Sequence, residues 1–244
     1  MTRRTDRTNW WTVTLVAGLT TTLVAVGIMS LFPTSSAGDT SGYGSPVIAF
    51  EFARTPADLL VVFGPESDPQ RAERIRSMDL GNRWDYLFLV TYGAFMALFC
   101  WSAFKDTDRS SWLIPAAAGV LSAVMDAVEN TMLLEITKDL HSTPWLDLLP
   151  IPVHAKFSSI ALSSIAGALY IASNHGVVWR LLAVVAIAAG IGVLVALTDP
   201  PGLGWLLTSA VAAAWSIQLL YAGFRVLRRP STEHSGRAPK RAPS

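Results

Sequence analysis

Six stretches of this chain stay apolar for about twenty residues at a time, with almost no charge inside them: 11–32, 84–104, 112–136, 151–173, 179–198 and 203–224. At ~1.5 Å rise per residue, each is long enough as a helix to cross a hydrocarbon layer ~30 Å thick. Punctuation marks their ends. Pro33 follows the first run, Ser110 and Ser111 precede the third with Pro115 in its opening turn, Pro150 and Pro152 open the fourth, and Pro200-Pro201-Gly202 links the fifth to the sixth. The pattern predicts an all-α, polytopic integral membrane helix bundle. It has six transmembrane helices and a short extracytoplasmic helical segment between the first two.

Composition agrees: 51% of residues are hydrophobic and only 15% charged, too apolar a balance for an ordinary soluble domain. Eight of the nine tryptophans fall near a run end, as an aromatic belt at the bilayer surfaces requires, and Trp215 alone lies mid-run. The formal charge of +1 conceals a strong asymmetry. With the N-terminus inside, Arg3, Arg4, Arg7, Lys105, Arg109, Arg180, Arg225, Arg228, Arg229, Arg237, Lys240 and Arg241 all lie on the cytoplasmic side. Opposite them the short loops hold only Lys138, while the long segment carries five arginines that weigh less in this rule. A multi-pass protein of the cell (plasma) membrane with both termini cytoplasmic is expected. A second reading makes the first run a secretory signal, with Ser35-Ser36-Ala37 as its cleavage site. Its apolar stretch is long for that, so an uncleaved anchor is preferred.

Segment 33–83 is the one substantial region outside the runs. It opens as a flexible linker, becomes amphipathic over 47–63 with a helix start at Thr55-Pro56, and has a second short helix over 70–78 ending at Gly81. About 50 residues are few for a separate core, so the segment is expected to lie on the membrane surface or to cover the bundle mouth. Residues 1–10 form a short cytoplasmic N-terminus. The tail, 225–244, is basic and rich in Pro and Ser, expected to be disordered and drawn to anionic lipid rather than nucleic acid. The single cysteine, Cys100, excludes an intramolecular disulfide and reads as a small buried apolar residue. No nucleotide-binding or nucleophile motif is present, and no cofactor is assigned.

Polar residues inside the runs are where chemistry is expected, because charge in hydrocarbon is costly. In the third run Ser122, Asp126, Glu129 and Asn130 fall at i, i+4, i+7 and i+8, on one helical face. A charged side chain near a helix centre costs ~2.5–3.5 kcal/mol on insertion scales, against ~0.3–0.6 gained per good apolar residue. Two carboxylates facing lipid would therefore nearly cancel the insertion of the whole helix. Depth brings them a partner. Asp126 and Glu129 lie roughly 21–26 Å along a helix running outward, and Lys156 about 8 Å from the outer start of the next helix running back. Asp85 and Tyr86 stand at the outer start of the second. On the fourth run Lys156, Ser159, Ser163 and Gly167 share a stripe. A polar chamber among these three helices, opening outward, is the expectation, with Lys156 as counter-charge. One cation against two carboxylates leaves a surplus acid, which crowding and desolvation favour in its protonated form. Asp126, Glu129 and Asp85 have only generic spacing for a hard cation, so no metal is assigned.

Three functional readings use these residues. In the leading one the chamber binds a lipid-like or amphipathic small molecule. Asp126, Glu129 and Lys156 are then the binding or acid–base groups, and Asn130, Asp85, Tyr86, Ser122 and Ser159 contact the ligand. The second is a proton- or cation-coupled carrier; the missing charged residues below Ser122 weigh against it. In the third, a non-catalytic membrane assembly subunit, the cluster only locks helices together. Membrane lipids are the expected partners, with a second copy or another membrane protein as further candidates.

Overall fold

The structure, a computed structural model, describes residues 9–141, 144–174 and 176–228. The eight N-terminal residues and the basic tail from residue 229 onward lie outside the described residues. The fold is all-helical, 80% helix, and has no strand among the described residues. Its helices are α1 (Trp10–Met29), α2 (Pro46–Glu51), α3 (Pro56–Phe63), α4 (Arg71–Thr107), α5 (Leu113–Ile136), α6 (Pro150–Asn174), α7 (Val177–Ala196) and α8 (Pro200–Leu227). Six of them, all but α2 and α3, are long and apolar enough to cross a membrane. They pack as a ring in the order α1, α4, α5, α6, α7, α8 and back to α1, and α6 also touches α4 and α8 across it. This makes α6 the most enclosed helix.

Large apolar side chains face outward, and small or polar ones face in. On α7, Val178, Leu181, Val184 and Val185 are exposed while Ala183, Ala186 and Gly190 are buried. Without a Cβ, Gly190 lets α6 approach until Ile165 occupies the space. The same device brings α4 and α5 together: a Cβ on Gly119 would stand 2.9 Å from the Ala97 amide nitrogen. A soluble protein would not leave so much apolar surface uncovered. Small residues at the contacts are what helices in lipid use to approach closely. Six such helices are compatible with an integral membrane protein.

Three local expectations need correction. Small residues are what helices in lipid pack by, yet on α8 Ser209, Ala212 and Ser216 are exposed. The packing face is Gly204, Leu207, Ala210, Ala214, Ile217 and Tyr221. Ser209 can face outward because its hydroxyl donates to the Trp205 carbonyl of its own helix, 2.8 Å away. The second correction concerns Gly81, which ends no helix. α4 runs unbroken for 37 residues; at Gly81 the ring of Phe32 packs where a side chain would stand, and the weak local propensity does not end the helix. The third concerns the polar chamber, expected to open outward: its mouth is closed, by the very segment expected to lie on the surface or to cover it.

The closure is built by 41–63. Ser45 accepts from the Ile48 amide and starts α2 with Pro46 at its first position. Thr55 and Asp58 form a reciprocal capping box at the start of α3. A 3-10 turn at Ser41–Tyr43 rests on the start of α8, with Gly42 against the Pro201 carbonyl. Ile48, Phe50, Phe52, Leu59, Val62 and Phe63 then join Leu133, Ile136, Leu149, Val153 and Phe157 in one apolar core at this end of the bundle. The opposite end is tied by a second polar knot. Arg225 pairs with Asp106 at 2.6 Å, and Trp11 and Tyr170 both donate to that carboxylate.

Candidate functional site

Lys156 stands on the first half of α6 and points into the bundle, its side chain 5% exposed. Its Nζ donates to Glu129 Oε1 at 2.8 Å, Glu51 Oε2 at 3.1 Å and Asp126 Oδ1 at 3.3 Å. The Phe157 ring lies 4.6 Å from the same nitrogen. An ammonium has three N–H donors, and here each has a carboxylate to meet.

The helical spacing of α5 sets up this arrangement. Asp126 and Glu129 lie three residues apart on the face turned toward α6, and Asn130 continues that face one residue on. Asp126 is held from its other side by Tyr92 of α4, whose hydroxyl donates to Oδ2 at 2.7 Å and also reaches the Ser122 carbonyl at 3.2 Å. Asn130 Nδ2 donates to Asp85 Oδ2 at 2.7 Å, which fixes α4 against α5. Tyr92 in turn stacks on Trp215 of α8, ring centroids 5.2 Å apart, with Phe88 edge-on at 5.1 Å. Aromatic rings thus stand at two sides of the cluster, Tyr92 against Asp126 and Phe157 against Lys156.

The structure places the sequence-predicted residues unequally. Asp126, Glu129 and Lys156 meet. Asp85 and Asn130 bind one another beside them. Tyr86 does not join: its hydroxyl bonds with Thr131 at 2.8 Å and the Ala127 carbonyl at 3.3 Å, along the α4–α5 seam. Ser122 turns its hydroxyl back to the Gly119 carbonyl of its own helix. Ser159 is buried one turn along α6 from Lys156. Two members were not expected. Tyr92 shared a face with Asp85 in the sequence, yet nothing there linked it to Asp126. Glu51 read as a polar interruption in an amphipathic run, and it arrives from 105 residues away along the chain.

Glu51 is the last residue of α2, and its carboxyl comes within hydrogen-bonding reach of Glu129. Burial pushes the Glu51 carboxyl up, although Lys156 opposes this. One oxygen, Glu129 Oε2, is wholly enclosed and receives no hydrogen bond from any donor group. Three carboxyl groups, two from α5 and one from α2, thus share the one ammonium of α6. Phe52, next to Glu51 in the chain, stacks on Phe157 with ring centroids 6.2 Å apart, beside Lys156. Compared with protein-family models, curated proteins and solved structures, the chain matches none of them.

Proposed function

We propose that this chain is a multi-pass protein of the plasma membrane, both termini cytoplasmic, that binds an amphipathic, lipid-like molecule at the Lys156 centre, with α2 and α3 as a removable cap. The observation that carries this reading is the position of Glu51. A buried ion cluster serving only to join helices needs partners on those helices, and Asp126 and Glu129 already supply two for one lysine. The third acid comes from a helix of six residues outside the bundle, its Ile48 and Phe50 seated in the apolar core at that end. With so few helical hydrogen bonds of its own, it is the element taken to separate from the site. When it leaves, apolar and aromatic walls surround a few convergent polar groups, which is the makeup of a small-molecule pocket. Acid–base work on the ligand would fall to Asp126, Glu129 and Lys156.

The test is the content of the purified protein. Wild type extracted in mild detergent should carry an amphiphile enriched over bulk lipid by mass spectrometry, and Asp126→Asn and Glu129→Gln should lose it while keeping their helical circular dichroism. Identical lipid content in all three proteins refutes the binding role and leaves the cluster as a structural lock, the reading that its complete enclosure favours. Reporter fusions in 105–111 and in 33–83 should report opposite sides of the membrane. The same side for both refutes the orientation.

A further inference from the structure

We infer that a groove between α4 and α5, at the end of the bundle where α4 stops and α5 begins, holds one acyl chain of an anionic phospholipid whose head group sits at Lys105. This site is separate from the Lys156 centre and goes beyond the function proposed for it. The groove leaves about 390 Å³ open between the two helices. Ala94 and Ala97 of α4 and Ala116 and Ala117 of α5 line it, whereas outward positions nearby carry Val90, Leu121 and Val124. The helices meet closely beside it, where Gly119 stands against the Ala97 nitrogen. From Ala94 to Trp101 the groove follows α4 for about 10 Å, at ~1.5 Å per residue. Left empty in a membrane, it would forfeit the van der Waals contacts of every group that lines it.

The mouth of the groove selects its occupant. Trp10 of α1 and Trp101 of α4 stand there edge to face, ring centroids 5.9 Å apart, as indoles do at a membrane interface. A helix with its side chains is ~10–12 Å wide, and these two rings stand where it would have to leave the groove. A single flexible chain passes beside them. One turn beyond Trp101, the exposed Lys105 holds its ammonium 4.6 Å from the Trp101 ring and 5.1 Å from that of Phe104. Lys105 pairs with no carboxylate among the described residues. Of the charges over 105–109, Asp106 is taken by Arg225 at 2.6 Å, which leaves Lys105 and Arg109 against Asp108. The balance is positive, and the ring contacts fix it beside the open end of an apolar groove. That complements an acyl chain carrying a negative head group. A zwitterionic head group brings its own cation to the same place and gains less.

Brominated lipids, which quench tryptophan on contact, test this in the full chain. Phosphatidylcholine nanodiscs are prepared at pH 7 with rising fractions of dibrominated phosphatidylglycerol or, separately, dibrominated phosphatidylcholine. The Trp101 signal is taken in each background as the difference made by Trp101→Phe, which keeps an aromatic ring beneath Lys105. Phosphatidylglycerol should reach half-quenching at an about fivefold lower fraction than phosphatidylcholine, the worth of one lysine near the membrane surface. Lys105→Gln should bring the two lipids within about twofold, and Lys105→Arg should keep them apart. Ala117→Leu fills the groove with a side chain that a helix tolerates and should weaken quenching by both lipids. Ala166→Leu, in the neighbouring groove between α5 and α6, should change neither. Equal quenching by the two lipids in wild type overturns the inference. So does a preference that survives Lys105→Gln, or an Ala117→Leu protein that behaves as wild type. Absence of quenching by either lipid overturns it as well, and a dimer in that same sample gives the groove to a second copy.

Discussion

Replacing Lys156 by methionine keeps the length and apolar stem of the side chain and removes only its charge and donors. Three contacts of 2.8, 3.1 and 3.3 Å disappear at once from a group whose side chain is 5% exposed. Water cannot step in, so the acids are left facing each other. Breaking a buried ion cluster from one side costs about 3–5 kcal/mol. For a chain of this size, with about 2–4 °C of melting temperature per kcal/mol, the loss is roughly 6–20 °C. The penalty should shrink as pH falls from 8 to 5, because Glu51, whose carboxyl burial already pushes up, then takes up a proton and ceases to repel the other acids. Adding Glu51→Gln, Asp126→Asn and Glu129→Gln to Lys156→Met should restore much of the loss, since an uncharged cluster of similar volume has no buried ion to leave unpaired. Thermal unfolding followed by far-ultraviolet circular dichroism in mild detergent measures all of these. A Lys156→Met melting temperature within about 2 °C of wild type at pH 8, where about 6 °C is the least expected, refutes the caged-ammonium account.

Glu51→Gln should alter how stability depends on pH. The folded chain holds the Glu51 proton more tightly than the unfolded chain does, because burial raises this carboxyl. Its contribution is therefore complete below the usual glutamate range and fades as pH rises through the raised value, so the variant should show a flatter melting-temperature profile above pH 5. Gly119→Val should destabilise by about 1–3 kcal/mol, since even its Cβ would stand 3.0 Å from Met96 Cβ and 2.9 Å from the Ala97 nitrogen; a neutral result in thermal unfolding counts against the close α4–α5 crossing. Asp58→Ala removes acceptors for the Arg54 and Thr55 amides. It should cost about 1 kcal/mol and speed hydrogen exchange over 46–63 while leaving α6 protected. Equal acceleration in both regions would mean that the cap does not open by itself.

Much of this architecture is written in local sequence. The six apolar runs, their proline and serine boundaries, and the shared face of Asp126, Glu129 and Asn130 are properties of short windows, in which helical periodicity and the cost of charge in an apolar run are enough to decide. The match of Asp126 and Glu129 with Lys156 was also legible, because two antiparallel helices joined by a short link can align in few ways. Tertiary packing alone decided the rest. A glutamate at the end of a short amphipathic helix looks the same whether it meets water or a buried lysine, so nothing near Glu51 announced its destination. Tyr92 carried no mark of its bond to Asp126, and α4 passes through Gly81, where the ring of Phe32 fills the space a side chain would need. The exposed face of α8 followed the same logic: with alanine and serine all around the helix, composition does not say which side meets a neighbour. Charges and small residues take their meaning from what arrives opposite them, and distant contacts of that kind exist only in the folded chain.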